Sequence, residues 1–426
     1  MFGIAGIRGV YGKEVTEELV LKISNLFASG DVAVGRDIRA SGHSLKLAAI
    51  KGITAAGHNA FDLGIATTPT VALASRKYGL GIMITASHNP LDHNGIKLMG
   101  NGRELSPDEC NVFAAQYKVG KQQTAASGKV FHDDSLEAEH IKLILKQVKP
   151  EKKLKVVADC NGAAYSITPK VLSALGCQVI SINTSAFEFF RPSEPKKENL
   201  TSLAAAIRAT NADLGIAHDA DGDRCIILDR TGEQIPMDVQ LAMMIEEELR
   251  KSSNKKIAAT VEASLLIRET VEQNGGKVTI TPVGSTYLAL EMQRGAAFAG
   301  EPCGEYIYAA GVLAPDGVLA AAKFVELASK HELSELKKKY KTYPIARERY
   351  PTADREAAMK KIKAEVVRSY SKFSSLDGIR VDEEDGWFLV RASGTEKIIR
   401  LTMEYKDKAK LEKKKAEIEE IIKKSV

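Results

Sequence analysis

The sequence contains few cysteines and no long apolar run. Its five cysteines are scattered without a CxxC pair, and an odd, sparse set is typical of free thiols in a reducing compartment. No apolar stretch approaches the roughly 20 residues that span a bilayer. The start of the chain also lacks the apolar core of a signal peptide. We therefore expect a cytoplasmic protein with no membrane partner.

An excess of one charge is also missing, because 60 basic residues stand against 55 acidic ones. Aromatic residues make up only 6% of the chain, and they do not alternate with basic residues as they do in proteins that bind nucleic acids. The lysine-rich segments at 337–341 and 406–424 are better explained as solvated helix faces. We expect no nucleic-acid partner, and the net charge of +5 is compatible with a small anionic substrate.

Three aspartates at alternate positions are the most informative pattern that the sequence does contain. Asp219, Asp221 and Asp223 come just after the short apolar run 215–217 and His218. In an extended backbone, side chains at such positions point to the same side, so their oxygens can converge on one hard cation such as Mg²⁺. An ordinary acidic turn is the alternative, whereas the glycine and glutamate spacing of an EF-hand is absent. The pattern predicts a magnesium site at the end of a strand.

A strand, a helix, a glycine and a second strand recur about every 100 residues along the chain. At 426 residues the chain is too long for one compact core, and each copy has the pattern of a right-handed βαβ unit. We therefore predict three tandem α/β domains with a common mixed-sheet core. The paired strands are expected at 31–35 and 59–64, at 155–159 and 176–181, and at 256–260 and 276–280.

The last 80 or so residues lack this alternation and predict a small α+β domain. A helix is expected over 354–371, followed by strands and a final helix rich in lysine and glutamate. The charged, proline-containing stretch 343–351 is interpreted as a linker. The expected domain limits are 1–148, 149–252, 253–342 and 343–426.

A second polar turn follows the apolar strand pattern at 82–84. Ser87 lies just past this strand, where an exposed hydroxyl can act as a nucleophile or carry a phosphoryl group. A plain Asn-Pro turn is the alternative for this segment. Lys97 can return an ammonium to the Ser87 region, although a surface lysine is the simpler interpretation.

Two further loops carry groups that suit a sugar phosphate. Glu301 and Glu305 are carboxylates in a loop of small residues and suit hydrogen bonds to sugar hydroxyls, with a structural turn as the alternative. The segment 391–395 places an arginine, two hydroxyls and a glycine after a strand, which predicts an anion-binding nest.

With these motifs in this order, the sequence resembles the α-D-phosphohexomutase superfamily over its whole length. The segment 85–90 is similar to the phosphoserine loop of that family, 219–224 to its metal loop, and 391–395 to its phosphate-binding loop. The segment 3–9 resembles its N-terminal segment, whose arginine, here Arg8, faces the reacting phosphate. The resemblance implies three α/β domains and a smaller C-terminal α+β domain around a central cleft.

Two departures from the family pattern concern the substrate. In the sugar-binding loop, Glu301 is kept, but Cys303 replaces the usual serine and Glu305 the usual histidine. In the phosphate loop, Lys397 stands where proline is frequent. Because a carboxylate near a substrate ammonium is favourable, we expect phosphoglucosamine mutase activity first, with phosphomannomutase and phosphoglucomutase activity as alternatives.

The resemblance also implies a cycle in which phosphorylated Ser87 gives its phosphoryl group to a hexose monophosphate. A hexose 1,6-bisphosphate forms, turns over in the cleft and returns the other phosphate, and the same bisphosphate acts as activator.

Mg²⁺ is the implied cofactor, the partner is a sugar phosphate, and the assembly is a monomer or homodimer. Closure of the fourth domain about 343–351 is expected. A metal-dependent sugar phosphatase and a non-catalytic sugar-phosphate binder are the competing interpretations. The implied catalytic residues are Ser87, Arg8, Lys97, His88 and Arg224, the metal ligands are Ser87, Asp219, Asp221 and Asp223, and the substrate contacts are Glu301, Cys303, Glu305, Arg391, Ser393, Gly394 and Thr395.

Overall fold

The computed structural model of the chain describes residues 6–123, 127–393 and 397–426. Four β-sheets follow one another along this part of the chain. The expectations for residues 3–5 and for Gly394 and Thr395 lie outside the described residues.

The first domain has a mixed sheet of seven strands with the order β1-β5-β4-β2-β3-β7, and β6 pairs with β5. The strands β2, β3, β4 and β7 are parallel, whereas β5 runs antiparallel to both β1 and β4. The elements are β1 Ile7–Val10, α1 Glu17–Phe27, β2 Val32–Arg36, α2 Gly42–Ala55, β3 Ala60–Ile65, α3 Thr68–Tyr78, β4 Leu80–Ile84, β5 His93–Gly100, β6 Arg103–Glu104, α4 Pro107–Val119, β7 Val130–His132 and α5 Ser135–Leu145.

The second domain repeats the central part of this sheet with the strand order β11-β10-β8-β9. The strands β8, β9 and β10 are parallel and β11 is antiparallel. The elements are β8 Lys155–Asp159, α6 Thr168–Ala174, β9 Gln178–Ile182, α7 Thr201–Thr210, β10 Leu214–Ala217, β11 Ile226–Asp229 and α8 Met237–Lys251.

The third domain repeats the same order once more as β15-β14-β12-β13, again with only its last strand antiparallel. The predicted repeat is therefore confirmed as a common mixed-sheet core. The elements are β12 Lys256–Thr260, α9 Leu265–Gln273, β13 Lys277–Thr281, α10 Ser285–Gln293, β14 Phe298–Glu301, β15 Glu305–Tyr308, α11 Gly317–Lys330 and α12 Leu333–Leu336.

The fourth domain is an antiparallel sheet covered by two helices, as the α+β prediction required. Its strand order is β16-β19-β18-β17. The elements are β16 Ile345–Pro351, α13 Arg355–Ser369, β17 Ile379–Asp382, β18 Gly386–Ala392, β19 Ile398–Tyr405 and α14 Lys408–Lys423.

The interpretation of 343–351 as a linker is wrong, because β16 pairs with β19 from Ile345 to Pro351. The charges and the proline misled the prediction, since both are tolerated on an edge strand. Arg347 and Arg349 are exposed, while Glu348 between them is half-buried. Pro351 is the last residue of the strand, where its missing N–H interrupts little of the ladder.

The hydrophobic core ties the second and third domains together. One cluster of buried side chains runs from Val156 of β8 through Leu241 of α8 to Phe298 of β14, without a break between the two sheets. Relative motion of these two domains would expose that cluster, so we regard them as one rigid base. None of the described helices combines the length and apolar character needed to cross a membrane.

Candidate active site

Three polar turns occupy the same place in the three repeated sheets. Residues 85–92 connect β4 to β5, residues 218–225 connect β10 to β11, and residues 302–304 connect β14 to β15. Each turn thus follows the carboxyl end of a parallel strand and leads into the antiparallel strand beside it. Such strand ends are the usual place for ligands in open α/β sheets. We call these segments the serine turn, the metal turn and the sugar turn.

Ser87 is held in a strained conformation within the serine turn. Its φ is +50°, a value that non-glycine residues rarely adopt. The hydroxyl of Thr85 accepts a hydrogen bond from the Ser87 N–H at 2.8 Å, and the buried guanidinium of Arg39 donates to the Ser87 carbonyl at 2.7 Å. These bonds fix the backbone so that the Ser87 hydroxyl points toward the metal turn.

The expectation of an exposed Ser87 is wrong, since the residue is only 1% exposed. Its Oγ donates a hydrogen bond to Asp219 Oδ2 at 2.7 Å and lies 3.3 Å from Nδ1 of His88. The metal turn covers the Ser87 hydroxyl. The sequence around Ser87 could not predict this burial, because the covering residues are distant in the chain. The positive charge of Arg224, burial and the charge of Arg8 all lower the pKa of His88, so His88 is neutral beside the serine.

Asp219, Asp221 and Asp223 form one buried cluster in which one oxygen from each lies within 4.8 Å of the others. The backbone here is not extended, as the sequence argument assumed, but turns sharply at Gly222, whose φ is +70°. Burial, together with the charges of Asp223 and Asp221, raises the pKa of Asp219 well above its usual value.

The donor set of this cluster fits a hard divalent cation. Oδ1 of Asp221 and Oδ1 of Asp223 are buried and have no hydrogen-bond partner within the described part of the chain. Buried oxygens without partners are costly unless something else binds them. All the groups are carboxylates, with no sulfur or imidazole in the cluster, which suits Mg²⁺ better than zinc.

Lys97 lies beside the same carboxylates and is 2% exposed. Its Nζ is 2.8 Å from Asp223 Oδ2, 3.0 Å from Asp221 Oδ2 and 3.2 Å from Glu104 Oε1. Burial alone would lower the pKa of Lys97, but these three carboxylates raise it well above its usual value. The ammonium is therefore charged in this structure.

Arg224 connects the metal turn to the sugar turn. Its guanidinium pairs with Glu305 Oε1 at 3.2 Å, and the backbones of the two residues form a β-bridge. Cys225 extends this connection by donating its N–H to the Gly304 carbonyl at 3.0 Å. The carboxylate of Glu305, the first residue of β15, is thus paired with an arginine, a contact that its sequence position did not indicate.

Glu301 and Cys303 line a cavity of about 420 Å³ between the third and fourth domains. The Gly284 N–H donates to Glu301 Oε1 at 2.9 Å, and Cys303 Sγ lies 3.9 Å from Glu301 Oε2. Burial, with the charges of Glu305 and Glu262, raises the pKa of Glu301 to about 8. Glu301 is a carboxyl group that can donate as well as accept a hydrogen bond near neutral pH.

Arg391 at the end of β18 faces the third domain. It pairs with Asp377 at 2.8 Å and with Glu262, which also lines the cavity, at 3.3 Å. Ser393 is buried, and its carbonyl accepts a hydrogen bond from Arg355. On the opposite side of the site, Arg8 lies on β1 next to β5, and its Nε has no hydrogen-bond partner among the residues described.

The structure therefore gathers the predicted residues into two adjoining groups. Three residues that contact the first of these groups were not predicted from the sequence: Arg39, Thr68 and Glu104. Arg39 follows the carboxyl end of β2, a position that the strand-end rule could have indicated. Glu104 lies on a two-residue strand, and nothing in its sequence context indicates a contact with Lys97. The first group holds Ser87, His88, Lys97, Asp219, Asp221, Asp223, Arg224 and Glu305, and the second holds Glu301, Cys303 and Arg391.

Comparisons with known proteins agree over the whole chain. Family models for phosphoglucomutase/phosphomannomutase alpha/beta/alpha domains I, II and III match residues 1–124, 135–232 and 237–343, and the model of the C-terminal domain matches 344–421. A probable phosphoglucosamine mutase of Methanopyrus kandleri is 37% identical, and the match covers 100% of this chain and 98% of that protein.

Solved structures show the same arrangement. A phosphoglucomutase/phosphomannomutase family protein from Burkholderia thailandensis superposes with a TM-score of 0.90 at 26% identity, covering 100% of this chain and 97% of that one. An N-acetylphosphoglucosamine mutase from Aspergillus fumigatus, solved with GlcNAc-6P and magnesium, shares the fold at a TM-score of 0.63 and 15% identity, covering 100% and 95% of the two chains.

The fold and these relatives define an isomerase of the phosphohexomutase class, an intramolecular phosphotransferase. The chain belongs to the phosphoglucomutase/phosphomannomutase family of the α-D-phosphohexomutase superfamily.

Proposed function

We propose that the chain interconverts hexosamine 6-phosphate and hexosamine 1-phosphate through a phosphoserine at Ser87 and a 1,6-bisphosphate. The observation that carries this proposal is the hydrogen bond between Ser87 Oγ and Asp219 Oδ2, which joins the serine turn to a buried acidic cluster. A serine placed beside a cation site can carry a phosphoryl group whose charge the cation neutralises.

Asp219, Asp221 and Asp223 are the proposed ligands of Mg²⁺, together with a phosphate on Ser87. The partnerless oxygens of Asp221 and Asp223 support this assignment, and the Aspergillus relative was solved with magnesium. When bound, the ion would act as a Lewis acid that neutralises charge on the phosphoryl group.

The surrounding cations are proposed to serve the transfer step. Arg8 and Arg224 add positive charge beside the phosphoryl group, and neutral His88 shapes the serine turn without adding a charge. Lys97 is the proposed acid and base for the sugar hydroxyl. Asp221 and Asp223 now raise its pKa, and their engagement with a cation would weaken that attraction and bring the lysine nearer to a proton-transfer role.

The second group of residues is proposed to hold the rest of the substrate. Arg391 and Ser393, with Gly394 and Thr395, would bind the phosphate that is not reacting. Glu262 and Asp377 hold the Arg391 guanidinium in place before the phosphate arrives. Since the bisphosphate must present either phosphate to Ser87, a fixed distal site aligns both orientations. The same bisphosphate would rephosphorylate Ser87 and so act as activator.

We propose glucosamine phosphate as the preferred substrate. Relatives named as probable phosphoglucosamine mutases match the full chain, and the cavity beside Cys303 is lined by the carboxyl groups of Asp238, Glu262 and Glu301, whose oxygens can accept hydrogen bonds from a sugar amine. Phosphomannomutase/phosphoglucomutase activity is the second candidate. The pairing of Glu305 with Arg224 favours it, because that carboxylate is then not reserved for the sugar amine.

The test is a coupled mutase assay on glucosamine, mannose and glucose phosphates, with Mg²⁺ and a trace of the matching bisphosphate. We expect a strong preference for glucosamine phosphate. Comparable rates on mannose and glucose phosphates would support the second candidate, and release of inorganic phosphate without isomerisation would contradict both.

The variant Glu305→Gln separates two roles for that residue. If Glu305 only holds Arg224, the variant should lose roughly tenfold in kcat/KM on all three sugars alike. A loss confined to glucosamine phosphate would show instead that Glu305 contacts the amine. Glu384→Gln, which alters an exposed carboxylate of the fourth domain, is the matched control.

The remaining assignments are proposals of the same kind. We place the domain limits at 1–148, 149–252, 253–342 and 343–426, each enclosing one of the four sheets. Five free cysteines support a reducing compartment such as the cytoplasm. The expected assembly is a monomer or homodimer.

A further inference from the structure

A chain of buried hydrogen bonds outside the substrate site links three segments that are distant in sequence. Asp316 Oδ2 lies 2.8 Å from His140 Nε2, and His140 Nδ1 lies 2.9 Å from Thr70 Oγ1. All three side chains are buried. Asp316 is the N-cap of α11, His140 lies on α5, and Thr70 lies in the first turn of α3. No step of the proposed reaction uses these groups.

The direction of the hydrogen bonds follows from the chemistry of the three groups. An ionised carboxylate only accepts, so His140 Nε2 donates to Asp316. In the tautomer that carries its hydrogen on Nε2, Nδ1 accepts from the Thr70 hydroxyl, which also contacts the Thr67 hydroxyl at 2.8 Å. The other oxygen of Asp316 accepts from the Leu319 N–H at 2.9 Å and so caps α11. His140 therefore joins the start of α3 to the start of α11 with every partner satisfied.

Both helix starts contact the metal turn directly. The Thr68 N–H donates to the Asp221 carbonyl at 2.9 Å, and the Thr68 hydroxyl donates to Asp221 Oδ2 at 2.6 Å. On the other helix, a Cβ at Gly317 would collide with the carbonyl oxygens of Gly222 and Arg224, so α11 begins in close packing against the turn. The two helices therefore fix the backbone and one carboxylate of the metal turn.

We propose that His140 is a positioning residue for the cation site, acting through these two helices. This inference rests on the Mg²⁺ site of the proposed function. Thr68 binds Oδ2 of Asp221, while Oδ1 of the same carboxylate is buried and has no hydrogen-bond partner in the described structure, so it is available to a cation. Loss of His140 leaves Asp316 Oδ2 without its donor and leaves the Thr70 hydroxyl bonded only to that of Thr67, so the link between the two helix starts is broken.

The test measures metal affinity directly rather than through activity. Mn²⁺ is titrated into the unliganded full chain, and the free ion is followed by electron paramagnetic resonance. Removal of outer partners of metal ligands typically costs 10–100-fold in affinity, and for this more remote residue we expect His140→Leu to raise the Kd for Mn²⁺ by about 10-fold. His140→Gln, which keeps a donor and an acceptor, should recover part of the loss.

The matched control is Asn25→Leu. Asn25 is also buried in the first domain, where its amide donates to the carbonyls of Gly52 and Gln123, away from the metal turn. This variant should lower thermal stability and leave the Kd for Mn²⁺ unchanged. An equal loss of affinity in Asn25→Leu would show that general destabilisation, and not positioning, explains the effect.

Two further results would overturn the inference. One is a folded His140→Leu protein whose Kd for Mn²⁺ stays within twofold of the wild type. If that variant does not fold, Thr70→Val removes the hydrogen bonds of the Thr70 hydroxyl to His140 and Thr67, keeps the one between His140 and Asp316, and is judged by the same criterion. The other is a wild-type protein that binds no Mn²⁺, which would overturn the proposed cation site itself. The wild type alone shows this result, so it is distinguished from a failure of the His140 proposal, which only the variants reveal.

Discussion

Ser87, the three aspartates and Lys97 form a compact group in which each charge depends on its neighbours. The carboxylates repel one another. Lys97 pairs with Oδ2 of Asp221 and of Asp223, whereas Oδ1 of each has no hydrogen-bond partner in the described structure. The repulsion is expressed at Asp219, where burial and the charges of Asp223 and Asp221 raise the pKa. A bound cation would relieve this repulsion.

Replacement of Asp219 should separate the effect of carboxylate repulsion on stability from the effect of metal binding. Without Mg²⁺, Asp219→Asn should have a higher Tm than the wild type, because one buried carboxylate is gone while the hydrogen bond from Ser87 remains. With Mg²⁺ at 100 times Kd, the wild type should gain about 2.7 kcal/mol and the variant nothing. Differential scanning calorimetry checks both, with Asp134→Asn on the surface as control. A variant that still gains stability from Mg²⁺ would contradict the ligand assignment.

Glu301 should make the stability of the protein depend on pH. Its pKa of about 8 in the folded chain lies above its ordinary value of 4.5. The folded state thus holds this proton more tightly than the unfolded state, so the contribution is complete below pH 4.5 and is lost as pH rises through 8.

Relative to Glu301→Gln, which cannot ionise, the wild type should lose up to about 5 kcal/mol across that window. Urea unfolding at a series of pH values measures the difference, with Glu384→Gln as control. Parallel curves for the wild type and Glu301→Gln would show that Glu301 is ionised throughout.

At the scale of elements, the repeated sheet explains where the chemistry lies. Each copy supplies one turn at the junction of a parallel and an antiparallel strand, and each turn contains one residue with positive φ, namely Ser87, Gly222 and Gly304. The residues with left-handed backbone bend the chain back so that three turns meet, although their sequences are unrelated.

Most strands and helices could be predicted because apolar periodicity and glycine punctuation mark them. The pairing of Arg224 with Glu305, the burial of Ser87 and the contact of Glu104 with Lys97 could not, since each joins segments that only the folded chain brings together. The strand β16 was missed for a local reason, because an edge strand tolerates the charges and the proline that are typical of a linker.

The interface between the third and fourth domains contains the only tryptophan of the chain. Trp387 is buried there with Val261, Leu265 and Leu389, and its Nε1 donates to Glu404 at 2.7 Å. Arg380 stacks over the Trp387 ring at 3.9 Å and donates to the Val261 carbonyl. Closure of the fourth domain stays a prediction, and since 345–351 is a strand and not a linker, such a motion would have to rearrange this packed interface.

Tryptophan fluorescence should report on this interface alone. Leu265→Ala removes a packing partner of Trp387 and should cost about 2–5 kcal/mol, seen as a lower urea midpoint of the fluorescence transition. Leu45→Ala, in the core of the first domain, should shift the circular dichroism transition and leave the fluorescence midpoint nearly unchanged. Equal shifts of both signals in both variants would show instead that the four domains unfold as one unit.

At the scale of the whole molecule, the second and third domains form a continuous base, and the first and fourth bring Ser87 and Arg391 to its two ends. In the proposed cycle this arrangement would separate the reacting phosphate from the distal one, which a mutase needs and a simple phosphatase does not. Burial of Ser87 would also keep water from a phosphoryl group carried there.

The most direct test of phosphoryl transfer through Ser87 follows a labelled phosphate. Protein loaded with ³²P from labelled glucosamine 1,6-bisphosphate is digested to locate the label, and a second portion is mixed with unlabelled glucosamine 6-phosphate and Mg²⁺. We expect the label on Ser87 and its transfer to the sugar as bisphosphate, with no labelling of Ser87→Ala and full labelling of Ser329→Ala. Label on another residue, or its release as inorganic phosphate, would contradict the proposed cycle.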